Sequence, residues 1–290
     1  MGHEGACGEA PSFLTKRQRA LPIGHRERLG PHVGNMHMSS SWGPWAGRKY
    51  RLDKMTLREL LFAYFTHHSI LVYLACAGLA IWLAVRFAQG PWGPLAAAGV
   101  IVLVYPLAEY LLHRYVLHAR FLYRHRLTAA LWKRIHFDHH QNPHDLSVLF
   151  GALYTTLPTI ILISAPLGWL VAGPAGAAAA VATALILFCG YEFCHCIQHL
   201  PFTPRWQWLR ELKRHHLSHH FHSEKGNYGI TSGLWDRVLG TSYQRPQDIG
   251  RSPTVHNLGY AGPEREAYPW VAELSDDDET FAAARRRRAT

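Results

Sequence analysis

The sequence predicts an all-α integral membrane protein: four transmembrane helices in two hairpins, carrying a cytoplasmic histidine-rich helical cap. Three observations predict it. Apolar runs long enough to cross a bilayer recur four times between residues 70 and 194. The turns inside the two hairpins carry no charge, whereas the segments outside them are basic. Histidine is concentrated as well, with 14 of the 21 residues lying between His113 and His222.

Residues 1–50 are rich in Gly, Pro, Ser and Arg, have no apolar period and lack the h-region of a signal peptide, so they are expected to be disordered. A short amphipathic segment, Leu57 to Phe65, leads into the first span, Ile70 to Phe87. At ~1.5 Å per residue such a run crosses most of a ~30 Å hydrocarbon core. Gln89 to Pro94 is an uncharged turn, and Leu95 to Leu112 makes the second span. Val148 to Val171 is the third, interrupted by Pro158 and Pro166, which membrane helices tolerate. Ala172 to Gly176 turns the chain, and Ala177 to Cys194 is the fourth, with an alanine-rich start suited to close packing. Residues 57–241 thus read as one membrane domain. Residues 242–290 read as a polar, flexible tail that ends in charge blocks at Asp276–Glu279 and Arg285–Arg288.

Charge sets the expected orientation. The turns at 89–94 and 172–176 are neutral, whereas 114–134 and 205–214 are basic, which places both termini and every histidine cluster on the cytoplasmic side. The net charge of +10 follows the span ends rather than any nucleic-acid-binding pattern, so membrane-surface attraction accounts for it and no nucleic-acid partner is expected. Five cysteines without a C-x-x-C argue against a disulfide framework or a thiolate zinc site.

The chemistry lies in four histidine groups: His113-x4-His118, His136-x2-His139-His140, His195-x3-His199 and His216-x2-His219-His220. Residues at i, i+3 and i+4 share a helix face, so the second and fourth groups each converge their imidazoles. One ion takes roughly four to six donors, and ten histidines therefore imply two ions close together; imidazole alone does not choose among Zn, Cu, Fe and Ni. Glu109 and Glu192 lie one helical turn before His113 and His195, placed to accept the other ring N–H of a ligand. Asp138 and Asn227 are weaker candidates for the same role, Asn227 being equally suited to a turn. His144 and His215 stand beside the motifs.

The order of these four motifs, together with Asn227-Tyr-Gly-Ile-Thr-Ser-Gly-Leu-Trp-Asp-Arg-Val-Leu-Gly-Thr241, resembles the membrane fatty acid hydroxylase superfamily, which includes sterol desaturase-like proteins and fatty acid 2-hydroxylases. The resemblance implies two iron ions held by His113, His118, His136, His139, His140, His195, His199, His216, His219 and His220, with zinc able to occupy the same positions in a purified sample. It implies O2 as co-substrate and oxygen insertion into a C–H bond of a lipid acyl chain, fatty acyl 2-hydroxylation first. Sterol-type oxidation or desaturation would use the same ligands. The first 50 residues are too short for a fused cytochrome b5 and lack its haem-binding histidine pattern, so no haem or flavin is expected in this chain. Electrons would come from a separate donor of cytochrome b5 or ferredoxin type. The competing reading, a membrane metal transporter or zinc-binding protein, would place ligands near the bilayer midplane on broken helices, whereas these lie at span ends.

Overall fold

The computed structural model describes Trp45 and residues 49–275, and among them every regular element is helical. Apart from Trp45, Lys49 and Tyr50, the segment expected to be disordered lies outside the described residues, as do the two terminal charge blocks. Helix α1 (Leu57–Phe65) opens on a capping box in which the Glu59 N–H donates to Thr56 Oγ1 and the Thr56 N–H donates to the Glu59 carboxylate at 2.8 Å.

Three helical runs are long and apolar enough to cross a membrane: α2 (His68–Phe87), the run Trp92–Arg124 that contains α3 (Trp92–Leu112), and the run Leu146–His199 that contains α8 (Leu153–His199). A straight 47-residue helix would be about 70 Å long, yet the Gly151 N–H donates to Glu192 Oε1 at 2.8 Å. The run therefore doubles back. The break falls at Ala172 and Gly173, where φ swings to −150° and +57°, a left-handed value that glycine adopts without a Cβ penalty. On either side of it Gly168 and Gly176 touch: a Cβ on either would lie 2.2 Å from the other's carbonyl oxygen. The two apolar runs expected at 148–171 and 177–194 are thus the legs of one hairpin.

The second leg is the spine of the bundle. Its Ala179 packs against Ala84 of α2 and Ala97 of α3, and its Ala180 and Ala184 pack against Ile101. These small residues let helix backbones approach closely where lipid offers no hydrophobic incentive to associate. Nearer the histidines, Leu60, Tyr64, Ile70, Tyr73, Phe150 and Leu185 form the largest buried cluster.

Beyond α3 the chain builds a cap from short pieces: a π-helical turn at His113–Leu117, α4 (Arg120–Arg124), α5 (Arg126–Trp132), a second π-helical turn at Lys133–Phe137, α6 (Asp138–Gln141) and α7 (Leu146–Leu149). After the α8 hairpin come α9 (Gln207–Phe221), α10 (Leu234–Val238) and α11 (Pro263–Ala267). Here the structure departs from the sequence reading. Residues 242–275 do not hang free. Leu258, Tyr260 and Val271 bury against Tyr123, Trp132 and Phe137, Trp270 Nε1 donates to the Tyr123 carbonyl at 2.6 Å, and Arg124 pairs with Glu264 at 2.6 Å. These apolar residues are too sparse to show a period, so a packed strap reads as a polar tail.

Candidate metal centre

The histidines sit at the ends of the long helices and on the cap helices that cover them. The H-x4-H pair leaves α3 through its π-helical turn, in which the His118 N–H bonds the His113 carbonyl, an i→i+5 closure at 3.2 Å. In an α-helix residues five apart would point about 140° away from each other. The wider turn brings them onto one side, and their ring centroids are 5.0 Å apart. Such bulges concentrate at functional sites for this reason.

Nine of the ten motif histidines fall into two groups, buried except for the partly exposed His118, each with its nitrogens within 4.8 Å of one another: His139, His195, His199, His216 and His220 in one, His113, His118, His136 and His219 in the other. The end of α8 supplies only the first group and the end of α3 only the second. Segment 133–141 and α9 each supply both. The His136-His139-His140 trio therefore straddles the two groups, because His136 and His139 turn to different partners. His140 stands between, its Nε2 3.1 Å from His136 Nε2 and its ring 4.3 Å from that of His220.

Hydrogen bonding fixes which nitrogen of three rings faces inward. Nδ1 of His140 lies 2.8 Å from the Val255 carbonyl, Nδ1 of His219 lies 2.7 Å from the Gly226 carbonyl, and Nδ1 of His113 bonds the Tyr228 carbonyl. A carbonyl only accepts, so each Nδ1 carries the proton and each Nε2 presents a lone pair to the interior. Burial, with the neighbouring imidazoles adding to it, pushes His136, His139, His140, His216 and His220 well below the ordinary imidazole range. Burial also lowers His219. All six are neutral at pH 7, the form that binds metal.

These nitrogens fit a pair of first-row metal ions. His139 and His220 have both ring nitrogens buried without a hydrogen-bond partner, and His195 and His219 have their Nε2 so, a costly arrangement unless an ion completes it. His136 Nε2 has three other Nε2 atoms at 3.0–3.1 Å, although one ring nitrogen offers a single proton or a single lone pair. About 3 Å is the spacing of neighbouring donors each ~2.0–2.1 Å from one ion.

The other candidates have different partners. Glu109 accepts from the Ile230 and Thr231 N–H groups and from Thr231 Oγ1, and Glu192 accepts from Gly151. The carboxylates thus fasten the loops beside the histidines rather than the imidazoles. Asp138 pairs with Lys133 at 3.0 Å, both half-buried or deeper. Asn227 adopts φ +56° and bridges Tyr243 on both sides, its Nδ2 donating to the carbonyl and its Oδ1 accepting the N–H, each at 3.0 Å. It shapes the turn whose Gly226 and Tyr228 carbonyls hold His219 and His113. His144 stacks on Phe221 and abuts His199, while His215 Nε2 meets Gln244 Oε1 at 3.1 Å, turned away from both groups.

One organiser escaped the sequence reading. Asp236, 2% exposed, accepts from the Tyr228 N–H at 2.9 Å, the Gly229 N–H at 2.8 Å and Thr241 Oγ1 at 2.7 Å. It locks the same turn. Its one signal in the sequence is an acid that directly follows the uncharged run Asn227 to Trp235.

The groups open onto an apolar slot of about 280 Å³ walled by α3 and the two legs of α8. His113, His136, His139 and His195 line its upper part, and Ile101, Leu167 and Ala184 its far end. Thr156, Thr159 and Ser164 also line it, but each hydroxyl donates to the carbonyl four residues back at 2.7–2.9 Å. There the wall shows methyl and methylene groups; Tyr105, Tyr191 and Glu192, whose Oε2 is buried without a hydrogen-bond partner, are its polar members.

Two nitrogen clusters able to hold metal, set above a largely apolar slot, define a class: helical bundles with apolar spans and a histidine-lined cavity of alkyl-chain width. Residues 98–241 match the fatty acid hydroxylase family. The chain is 34% identical over 155 residues to a dihydroceramide fatty acyl 2-hydroxylase of Arabidopsis thaliana, covering 51% of this chain and 60% of that protein. It is 32% identical over 147 residues to the ceramide very long chain fatty acid hydroxylase SCS7 of Saccharomyces cerevisiae, covering 48% and 36%. The solved structure of full-length scs7p, in which only the hydroxylase domain is visible, superposes with a TM-score of 0.52 at 27% identity over 63% of this chain and 68% of that one. These matches place residues 98–241 in the membrane fatty acid hydroxylase superfamily.

Proposed function

We propose that this protein is an O2-dependent di-iron hydroxylase that inserts oxygen into a lipid acyl chain, at carbon 2. One observation carries the reading: the two nitrogen clusters converge on a largely apolar slot whose length suits an alkyl chain. In the overall reaction one atom of O2 enters a C–H bond and the other leaves as water, consuming two electrons and two protons. The irons, held by the ten motif histidines, would supply the oxidising chemistry. The protein's part is positional. The Gly226, Tyr228 and Val255 carbonyls keep three imidazoles in the ligand tautomer, and the slot holds the chain and keeps water from it. Electrons come from a separate donor protein of cytochrome b5 or ferredoxin type. The dihydroceramide fatty acyl 2-hydroxylase named above supports the choice of carbon 2.

The substrate reaches the slot from the bilayer. Leu117, Leu131 and Ile135 line its cap-side end. Next to them Phe121 is 63% and Leu127 85% exposed, flanked by Arg120, Arg124 and Arg126, the pattern of a segment seated in the headgroup region. We read four membrane crossings, with the Ala172–Gly173 turn outside and the histidine cap cytoplasmic. Lipid mass spectrometry of cells expressing the wild type beside His139→Ala tests the activity: a species gaining one oxygen at carbon 2 that disappears in the variant is expected, and loss of two hydrogens instead would overturn hydroxylation. Thiol labelling of single cysteines placed at Gly173 and at Arg126 tests the orientation. Labelling of Arg126→Cys, but not Gly173→Cys, from outside intact cells would refute it.

A further inference from the structure

The slot ends inside the bundle. Ile101 is 4% exposed and packs on Ala180 and Ala184, with Leu167 against the same cluster, and just beyond it the Gly168 and Gly176 backbones are in contact. Ile101 and Ala184 are buried at this end and Leu167 partly so. The distance from the histidines to this floor is fixed by two rigid helices that agree. Ile101 lies twelve residues before His113 on α3, about 18 Å of helix, and Ala184 lies eleven residues before His195 on the second leg, about 16 Å. Either length exceeds half of a ~30 Å hydrocarbon core. The walls above the floor are mostly apolar, with Tyr105, Glu109, Tyr191 and Glu192 as the polar exceptions, so the packed end sets how deep a chain can reach.

We propose that Ile101, Leu167 and Ala184 form a gauge that selects the length of the acyl chain beyond the reacting carbon. This rests on the reading that the slot holds an acyl chain. A chain that falls short leaves part of the floor uncovered and loses contact area, and one that is too long cannot bring its reacting carbon level with the histidines. Selection is therefore geometric and graded. Ala184→Phe fills the floor and should shorten the accepted chain by about one helical turn of depth, ~5 Å. Ala108→Phe blocks the slot seven residues above Ile101 and should shorten it by about 10 Å. Ile101→Ala and Leu167→Ala deepen the slot and should lengthen it.

The test is native mass spectrometry of the purified full-length protein and these variants, each offered an equimolar series of saturated fatty acids of increasing length, beside chain-length profiling of hydroxylated lipids in expressing cells. The expected result is an ordered shift of the retained chain: Ala108→Phe shortest, then Ala184→Phe, then wild type, then the two alanine variants. An unchanged length distribution in variants that keep wild-type metal content and melting temperature overturns the gauge. If a phenylalanine variant fails to fold, the alanine variants decide, and absence of lengthening in both overturns it. Ordered shifts in bound chains with no oxygen gained would leave the gauge standing and remove the hydroxylase reading. Hydroxylation with an unmoved profile would do the reverse.

Discussion

Asp236 gives the sharpest prediction, because it touches no candidate ligand yet should control one metal group and not the other. Its carboxylate takes the Tyr228 and Gly229 N–H groups at 2.9 and 2.8 Å and Thr241 Oγ1 at 2.7 Å. Hydrogen bonds to a charged acceptor contribute ~1.5–3 kcal/mol each, so Asp236→Ala, which orphans two buried N–H groups, should cost about 3–6 kcal/mol. Asp236→Asn keeps one acceptor oxygen and the shape, and about half of that loss is expected. The turn it holds carries the carbonyls that fix His113 and His219, both in the four-histidine group. Loss of a group that orients a ligand typically lowers metal affinity ~10–100-fold. Metal content measured against rising chelator should therefore fall in two steps, with Asp236→Asn moving one step by that factor and leaving the other. His118→Ala identifies the step belonging to the four-histidine group. If both steps move equally, or the step assigned by His220→Ala moves instead, the argument from the Tyr228 turn is wrong.

Three further outcomes are expected. Gly176→Ala should lower the melting temperature in detergent strongly, since the new Cβ meets the Gly168 carbonyl 2.2 Å away and overpacking alone costs ~1–3 kcal/mol; a melt within a degree or two of wild type would refute the close approach. The metal-free protein should lose stability as pH falls through about 6.5. The buried histidines 136, 139, 140, 216, 219 and 220 have folded pKa values below the unfolded one, so the unfolded chain takes up protons first; melts that rise on acidification would contradict the sign. In the strap, Trp132→Ala should cost ~3–5 kcal/mol because the indole is fully buried, whereas Glu264→Gln should cost under ~1 kcal/mol since Arg124 is 45% exposed; urea unfolding of each variant checks the contrast.

The helices were legible because lipid demands long apolar runs, and the turns because Gly and Pro punctuate them. The hairpin at Ala172–Gly173 followed from an uncharged Gly-Pro turn. That the histidines of each i, i+3, i+4 motif would lie on one side of their helix was also legible, since that spacing announces a shared face. Which histidines join which group was not. The grouping of His113 with His118 depends on a π-helical closure, and a five-residue spacing alone argues against a common face. Glu109 and Glu192 looked like partners for the imidazoles because sequence distance along one helix was the only measure at hand. Their actual partners, residues 230–231 and Gly151, are about 120 and 41 positions away, and no periodicity encodes such pairings. Val255 was invisible for the same reason: it contributes a carbonyl, and every residue has one.

That carbonyl shows how far the working unit extends. The stretch matched by the family, residues 98–241, contains all ten motif histidines, and a reader guided by similarity would cut the gene after Thr241. Such a protein would lack the acceptor that orients His140, the Ile249 carbonyl bonded by His222, and the Tyr260 and Val271 side chains that hold α5 over the site. The candidate ligands would all be encoded and the site would still be unfinished. Here the end of the family match and the end of the self-sufficient unit, at Val271, lie about thirty residues apart, and a transplant of this centre into another scaffold has to follow the second.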